Sequence, residues 1–211
     1  MLNYGRQDIS SKDIEAVLKV LKSDFLTQGP EVDKFEAEFS KRLSVNYSVA
    51  FNSATSALHA ACFALDLQPR DTLWTSPISF VASANCGLYC GAEIDFVDIE
   101  PDTYNISVNK LELKLKKAER EQRLPKILVA VHMCGQSCDM QAIHKLSLKY
   151  KFKIIEDASH AMGGRYLDQD VGNCHFSDAA IFSMHPVKII TSGEGGILTS
   201  KHQTVEQQAR L

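Results

Sequence analysis

Apolar residues along this chain recur in two rhythms: spacings of three and four, and short unbroken runs. Ile14, Val17, Leu18 and Leu21 fall on one side of a helix, with Ser10 placed to cap it and Asp13 in its first turn. A loop follows at Thr27-Gln28-Gly29-Pro30. Pro30 can open a second helix that turns Val32, Phe35 and Phe39 inward. Beyond it the pattern alternates. Runs at 47–51, 72–75, 94–97, 127–132, 153–156, 179–183 and 196–200 read as strands. The stretches 56–65, 81–89, 108–122 and 140–150 between them read as helices, and another helix begins near Gln203. Gly163-Gly164 and the run Gly193 to Gly196 read as turns.

Such alternation predicts an α/β fold with a mostly parallel central sheet and helices on both faces. Ligands of such sheets bind at the carboxyl ends of the strands. Ser53, the segment from Ser76 to Phe80, His132, Asp157 and Ser183 all come directly after strand patterns.

Composition narrows the class. The 211 residues are 45% hydrophobic and 23% charged, enough for one sizeable core. A net charge of −3 argues against a nucleic-acid partner. No apolar run is long enough for a membrane helix, and the N-terminus lacks the apolar stretch of a secretory signal, so the expected location is cytoplasmic. The six cysteines are then expected to be free thiols. His132, Cys134 and Cys138 do not follow a zinc template, and Cys174-His175 stands alone, so no metal is expected.

The candidate chemistry lies after three strand patterns. Ile154-Ile155-Glu156-Asp157 ends in acids, and the run from Phe182-Ser183 leads to Lys188. Asn52-Ser53-Ala54-Thr55-Ser56 opens a helix with small hydroxyl residues. Pyridoxal 5'-phosphate needs these three things: a lysine amine for attachment, a carboxylate beside its ring nitrogen, and a cradle for its phosphate. A helix start offers free N–H groups and a favourable dipole to a phosphate. Each feature also has a plainer reading. Ser53 or Thr55 can be an ordinary helix cap, Asp157 can cap a turn, and Lys188 can be a solvated surface group. Phe80 can be core, and Ser183 can be a hydroxyl bonded to backbone.

Longer motifs favour the cofactor. Leu26-Thr27-Gln28-Gly29-Pro30, Asn52 to His59, Trp74-Thr75-Ser76-Pro77, Phe80 to Cys86, Cys138-Asp139-Met140, Glu156 to Ala161 and His185 to Thr191 resemble the DegT/DnrJ/EryC1/StrS sugar aminotransferases. The resemblance runs from Tyr4 to the end of the chain. It implies the large domain of a fold-type I pyridoxal-phosphate transferase. Residues 1–211 would be an incomplete large domain, with the C-terminal small domain absent. Within the family, the chain is most similar to the branch on the route to pseudaminic acid.

The resemblance implies roles residue by residue. Lys188 would carry the cofactor and serve as catalytic base. Asp157 would meet the ring nitrogen, His160 the phenolic oxygen and Phe80 the ring face, while Ala54, Thr55 and Ser183 would hold the phosphate. Thr27, Gln28, His132 and Gln136 would contact substrate. The implied reaction moves an amino group from L-glutamate to C4 of a UDP-linked 4-keto-6-deoxy-N-acetyl hexose, in a homodimer when the protein is complete. The choice between C3 and C4 stays open, as does another nucleotide-linked keto sugar. A remnant that binds cofactor or oligomerises without turnover is the other alternative. Some dehydratase relatives have His in place of the lysine. Here Lys188 is present, with His185 three residues before it, which favours transamination. The glycine runs do not match a dinucleotide fingerprint, so a dehydrogenase is a weak rival.

Overall fold

A computed structural model of the chain describes residues 5–211; Tyr4, where the resemblance begins, lies outside the described residues. The first helix, α1 (Ser11–Leu21), opens with a reciprocal cap: Asp13 N–H donates to the Ser10 hydroxyl, and the Ser10 backbone N–H donates to the Asp13 carboxylate at 2.7 Å. Then come α2 (Pro30–Leu43), β1 (Tyr47–Phe51), α3 (Ala54–Ala64), β2 (Thr72–Thr75), α4 (Ala82–Tyr89), β3 (Glu93–Phe96) and α5 (Val108–Arg120). The second half continues with β4 (Ile127–Val131), α6 (Met140–Tyr150), β5 (Lys153–Asp157), a small hairpin β6–β7 (Arg165–Tyr166 and Gln169–Asp170), β8 (Ala179–Ser183), β9 (Gly196–Ser200) and α7 (Gln203–Ala209). The expected elements are all present, with ends within about two residues. The hairpin was not foreseen, because two-residue strands are too short to show a period.

The main sheet has seven strands in the order β1-β9-β8-β5-β4-β2-β3. Neighbours from β8 to β3 pair in parallel, while β9 runs against both β8 and β1. Six strands therefore point the same way. Successive strand residues face opposite layers. Leu73, Ile127, Ile155, Ile181 and Leu198 pack under α3, α4 and α7. Trp74, Leu128 and Ile154 face α5 and α6, and Ala180, Phe182 and Ile197 face the end of α2. The sheet is thus covered on both faces, as the apolar runs imply.

One expectation is corrected, in α2, and α1 leaves its apolar side uncovered. The apolar side of α1 is not buried: Ile14, Val17, Leu18 and Leu21 are all exposed, and no residue of that helix is buried. In α2, Val32 and Phe35 are exposed, and Phe39 alone of the three packs inward, edge-on to Phe182 at 5.4 Å. Periodicity reports that a helix has an apolar face, not what covers it.

An ion pair ties the segment after α7 to α2. Arg210, just past α7, donates to Glu36 of α2 at 2.6 Å and to the Ser48 carbonyl at 3.4 Å. Glu36 is buried and also accepts the Ala50 N–H at 2.8 Å. Arg210→Ala would leave that carboxylate with little but the Ala50 N–H. Because the arginine is partly exposed, the expected cost is about 2 kcal/mol rather than the larger value of a fully buried pair. Thermal unfolding should show a fall of about 4–8 °C in Tm; an unchanged Tm would mean that the pair contributes nothing.

Candidate active site

The loops after β1, β2, β4, β5 and β8 all leave the same edge of the sheet, because their strands are co-directional. Between them lies a cavity of about 280 Å³. Of the residues singled out in the sequence, Ala54, Thr55, Phe80, His132, Asp157, His160, Ser183 and Lys188 line it. Thr27, Gln28 and Gln136 do not. Thr27 and Gln28 lie exposed in the α1–α2 loop, and Gln28 borders a separate cleft with Phe25 and Leu26. The Gln136 side chain is exposed, and its carbonyl accepts from Asn105 at 2.9 Å.

One wall is the start of α3. Ser53 is its N-cap, as the plainer reading had it, and takes the Ser56 N–H at 3.1 Å. That leaves the Ala54 and Thr55 N–H groups, which no helical carbonyl can reach, at the cavity. Gly196 of β9 holds this turn in place. A Cβ on Gly196 would stand 2.4 Å from the Ala54 nitrogen and 2.4 Å from the Ser53 carbonyl carbon, so the strand approaches only because it has no side chain there. The sequence suggested a turn glycine at the head of a strand here; the close approach is a tertiary contact that no local pattern records.

Asp157 ends β5 and is buried. Its Oδ2 accepts from the Ser83 hydroxyl at 2.6 Å, and its Oδ1 accepts the Ser159 N–H at 3.2 Å. The turn-capping reading is thus also true, but it uses one oxygen and leaves the carboxylate facing the cavity. Lys188 lies on the loop between β8 and β9, whose neck is closed by Met184 N–H to the Gly195 carbonyl at 2.9 Å. Its amine has no hydrogen-bond partner among the described residues. Burial lowers its pKa from the ordinary 10.5, and Asp157 opposes that fall without cancelling it. His160 is lowered too, by burial first and then by Lys188, so its ring is neutral at pH 7. Ser183 accepts the His185 N–H at 3.4 Å, a weak contact that leaves its own proton free. Phe80 is not core: 69% of it is exposed at the cavity mouth.

His132 forms the floor and is fully buried. Burial is the largest influence on its ring and opposes charge there. Geometry fixes the proton: the Cys138 N–H points at Nδ1 at 3.2 Å, so the proton sits on Nε2 and is donated to Glu156 at 2.8 Å. Both nitrogens are engaged, and neither is free for a ligand. His185 also lines the cavity, but its Nδ1 accepts the Val187 N–H at 3.3 Å. The residue that sequence reasoning missed is Ser83. It lay inside the quoted Phe80 to Cys86 motif, and the one available signal was a hydroxyl among the small residues of a helix face that is otherwise buried.

Comparison with known proteins agrees with this geometry. A model of the DegT/DnrJ/EryC1/StrS aminotransferase family matches residues 7–211. The chain belongs to that family. It is 40% identical, over all of its length, to a UDP-4-amino-4,6-dideoxy-N-acetyl-beta-L-altrosamine transaminase of Campylobacter jejuni, and covers 54% of that protein. Among solved structures it is similar to Helicobacter pylori PseC, an aminotransferase involved in the biosynthesis of pseudaminic acid: TM-score 0.89, 33% identity, 99% of this chain and 54% of that one. It is also similar to Spr1654 of Streptococcus pneumoniae in its PLP form: TM-score 0.87, 26% identity, 99% of this chain and 57% of that one. The chain spans about half the length of the curated relatives it matches.

The Gly196 contact gives a test of the cavity wall. Gly196→Ala must push β9 away from the Ser53–Ala54 peptide, and backbone cannot yield as a side-chain tip can. The expected loss is about 2–3 kcal/mol, read as a lower denaturant midpoint with unchanged slope. A midpoint equal to the parent's would show that the two segments separate freely.

Proposed function

We propose that this chain forms the cofactor-binding part of a pyridoxal-phosphate-dependent aminotransferase acting on a nucleotide-linked keto sugar. The observation that carries the reading is the meeting, in one cavity, of two open helix-start amides, a buried carboxylate and a half-buried lysine without a partner. Their chemistry fits the cofactor group by group. When bound, pyridoxal phosphate supplies an electron sink for the carbon that gains or loses nitrogen. The Ala54 and Thr55 amides and the Ser183 hydroxyl would hold its phosphate. Asp157 would meet the ring nitrogen, His160 the phenolic oxygen, and Phe80 a ring face. Lys188 would hold the cofactor by its amine and would move the proton at the substrate carbon bearing nitrogen. Its lowered pKa makes it a better base at neutral pH.

The inferred donor is L-glutamate. The inferred acceptor is a UDP-linked 4-keto-6-deoxy-N-acetyl hexose, a reading supported by the printed activity of the Campylobacter relative. Among the described residues, Lys188 is the one Lys or Arg lining the cavity, and its amine is reserved for the cofactor. The UDP phosphates therefore need cations from elsewhere, either the remainder of the protein or a second subunit. We infer a homodimer whose Thr27-Gln28 loop reaches the shared site. The exposed apolar side chains Phe80, Val187 and Ile189 beside the cavity support that reading. Sedimentation of the intact gene product should give a dimer at micromolar concentration, and a monomer that keeps full transfer activity would refute it.

Borohydride reduction of the cofactor-loaded protein, followed by peptide mapping, should place the pyridoxyl group on Lys188. A label elsewhere with Lys188 unmodified would overturn the site. The rate of attachment should rise with pH, because the neutral amine is the nucleophile, and its midpoint should lie below 10.5. Asp157 raises the lysine's pKa, so Asp157→Asn should move that midpoint lower still. The same variant should attach cofactor yet slow half-transamination by two or more orders of magnitude, about 3 kcal/mol of lost stabilisation. A midpoint that stays put would show that the two groups are not coupled.

A further inference from the structure

Behind Asp157 stands a chain of hydroxyls that leads away from the cavity to the exposed loop after β2. Ser83 is fully buried, and its hydroxyl donates to Asp157 Oδ2 at 2.6 Å. Ser79 lies 2.6 Å from Ser83, oxygen to oxygen. Ser83 has one proton, and the carboxylate, which has none to give, takes it. The Ser79–Ser83 contact is therefore donated by Ser79. The direction of the chain is fixed: Ser79 to Ser83 to Asp157. Each donation polarises the next, so the bond to the carboxylate is strengthened by the one behind it. With its one proton given to Ser83, the Ser79 hydroxyl cannot also serve the Phe80 carbonyl 3.0 Å away, so Ser79 is joined through the backbone of its loop to Phe80, whose ring stands exposed at the cavity mouth. Phe80 and Asp157 are far apart in sequence, and this chain links them in space.

We propose that Ser83 is a positioning residue that sets the rotamer of Asp157 and, through Ser79, couples it to the loop presenting Phe80. Two independent constraints hold the carboxylate: the Ser159 N–H on one oxygen and Ser83 on the other. Removing Ser83 leaves one, about which the carboxylate can swing. It also frees the 76–81 loop from its inner anchor. The ring-nitrogen partner and the ring cover would then lose their alignment together, with no change in any group that touches the cofactor. This inference rests on the proposed reading of the cavity as a pyridoxal-phosphate site.

The test uses Ser83→Ala and Ser79→Ala beside the parent protein. Labelling of parent Lys188 by cofactor and borohydride comes first; its failure would count against the site reading, not against the relay. Amide hydrogen exchange at residues 76–81 is then measured without cofactor. Both variants should speed it, Ser83→Ala by roughly ten-fold, the effect expected on losing one buried hydrogen bond to a charged group. With cofactor labelled at the ring nitrogen, the ¹⁵N chemical shift reports how Asp157 meets that atom. It should move clearly in Ser83→Ala and less in Ser79→Ala, with cofactor affinity falling roughly ten-fold in the former. A merely structural serine would lower Tm without moving the nitrogen signal. Parent-like exchange and an unmoved ¹⁵N shift in Ser83→Ala would overturn the proposal. If Ser83→Ala does not fold, Ser79→Ala decides alone: faster loop exchange supports the relay, and parent-like exchange refutes it.

Discussion

Two acidic residues in succession at the end of a strand cannot face the same side of a sheet. Much of the site follows from that constraint at Glu156 and Asp157. Both are buried, and each must find partners in a different layer. Asp157 shares its face with Ile155 and looks toward α4, where Ser83 meets it. Glu156 shares its face with Ile154 and looks the other way, where Ser177 donates at 2.5 Å and His132 at 2.8 Å. One carboxylate is closed off among fixed donors, while its neighbour borders the cavity. A buried charge without partners is costly, so the two networks must form together with the sheet.

The co-directional strands then do the gathering. Five strands end at the same edge, and each brings its own groups: amides after β1, Phe80 after β2, His132 after β4, Asp157 at the end of β5 with His160 beyond it, Ser183 at the end of β8 with Lys188 beyond it. The reversed strand β9 contributes nothing with a side chain at the cavity, yet it fixes the wall by bringing a glycine against the Ser53–Ala54 peptide. Chemistry sits on loops, and the rigid layers set the distances between them.

The strands and helices were legible because both faces of the sheet are covered and the runs are correspondingly apolar. Cavity residues were legible for a related reason: each comes next after such a run. Features that depend on partners were not. The apolar side of α1 was legible, but not that Ile14 and Val17 stand exposed in this chain. Thr27 and Gln28 carried a motif, yet their loop lies away from the cavity. The contact of Ser83 with Asp157 was invisible because a serine in a helix usually bonds locally or to water. Its link to Asp157 spans 74 positions. The two free amides of α3 could be inferred, but the glycine that holds them could not, since close approach leaves no periodic trace.

The pairing of β1 with β9, in which Tyr47 meets Ser200, has a consequence for how the molecule comes into being. Among the described residues β1 lies at the sheet's edge, and its one strand neighbour is β9. Until residues 196–200 leave the ribosome, β1 has no ladder, and the loop that follows it has nothing to press against. Contacts of such long range are slow to form, because a large loop must close before they stabilise anything. The nascent chain therefore carries an unpaired apolar strand until residues 196–200 have emerged, the kind of edge that recruits other chains. The cavity wall at Ser53 and Ala54 takes shape only once β9 has docked against it, so protection of this strand during synthesis bears on how much protein reaches the folded state.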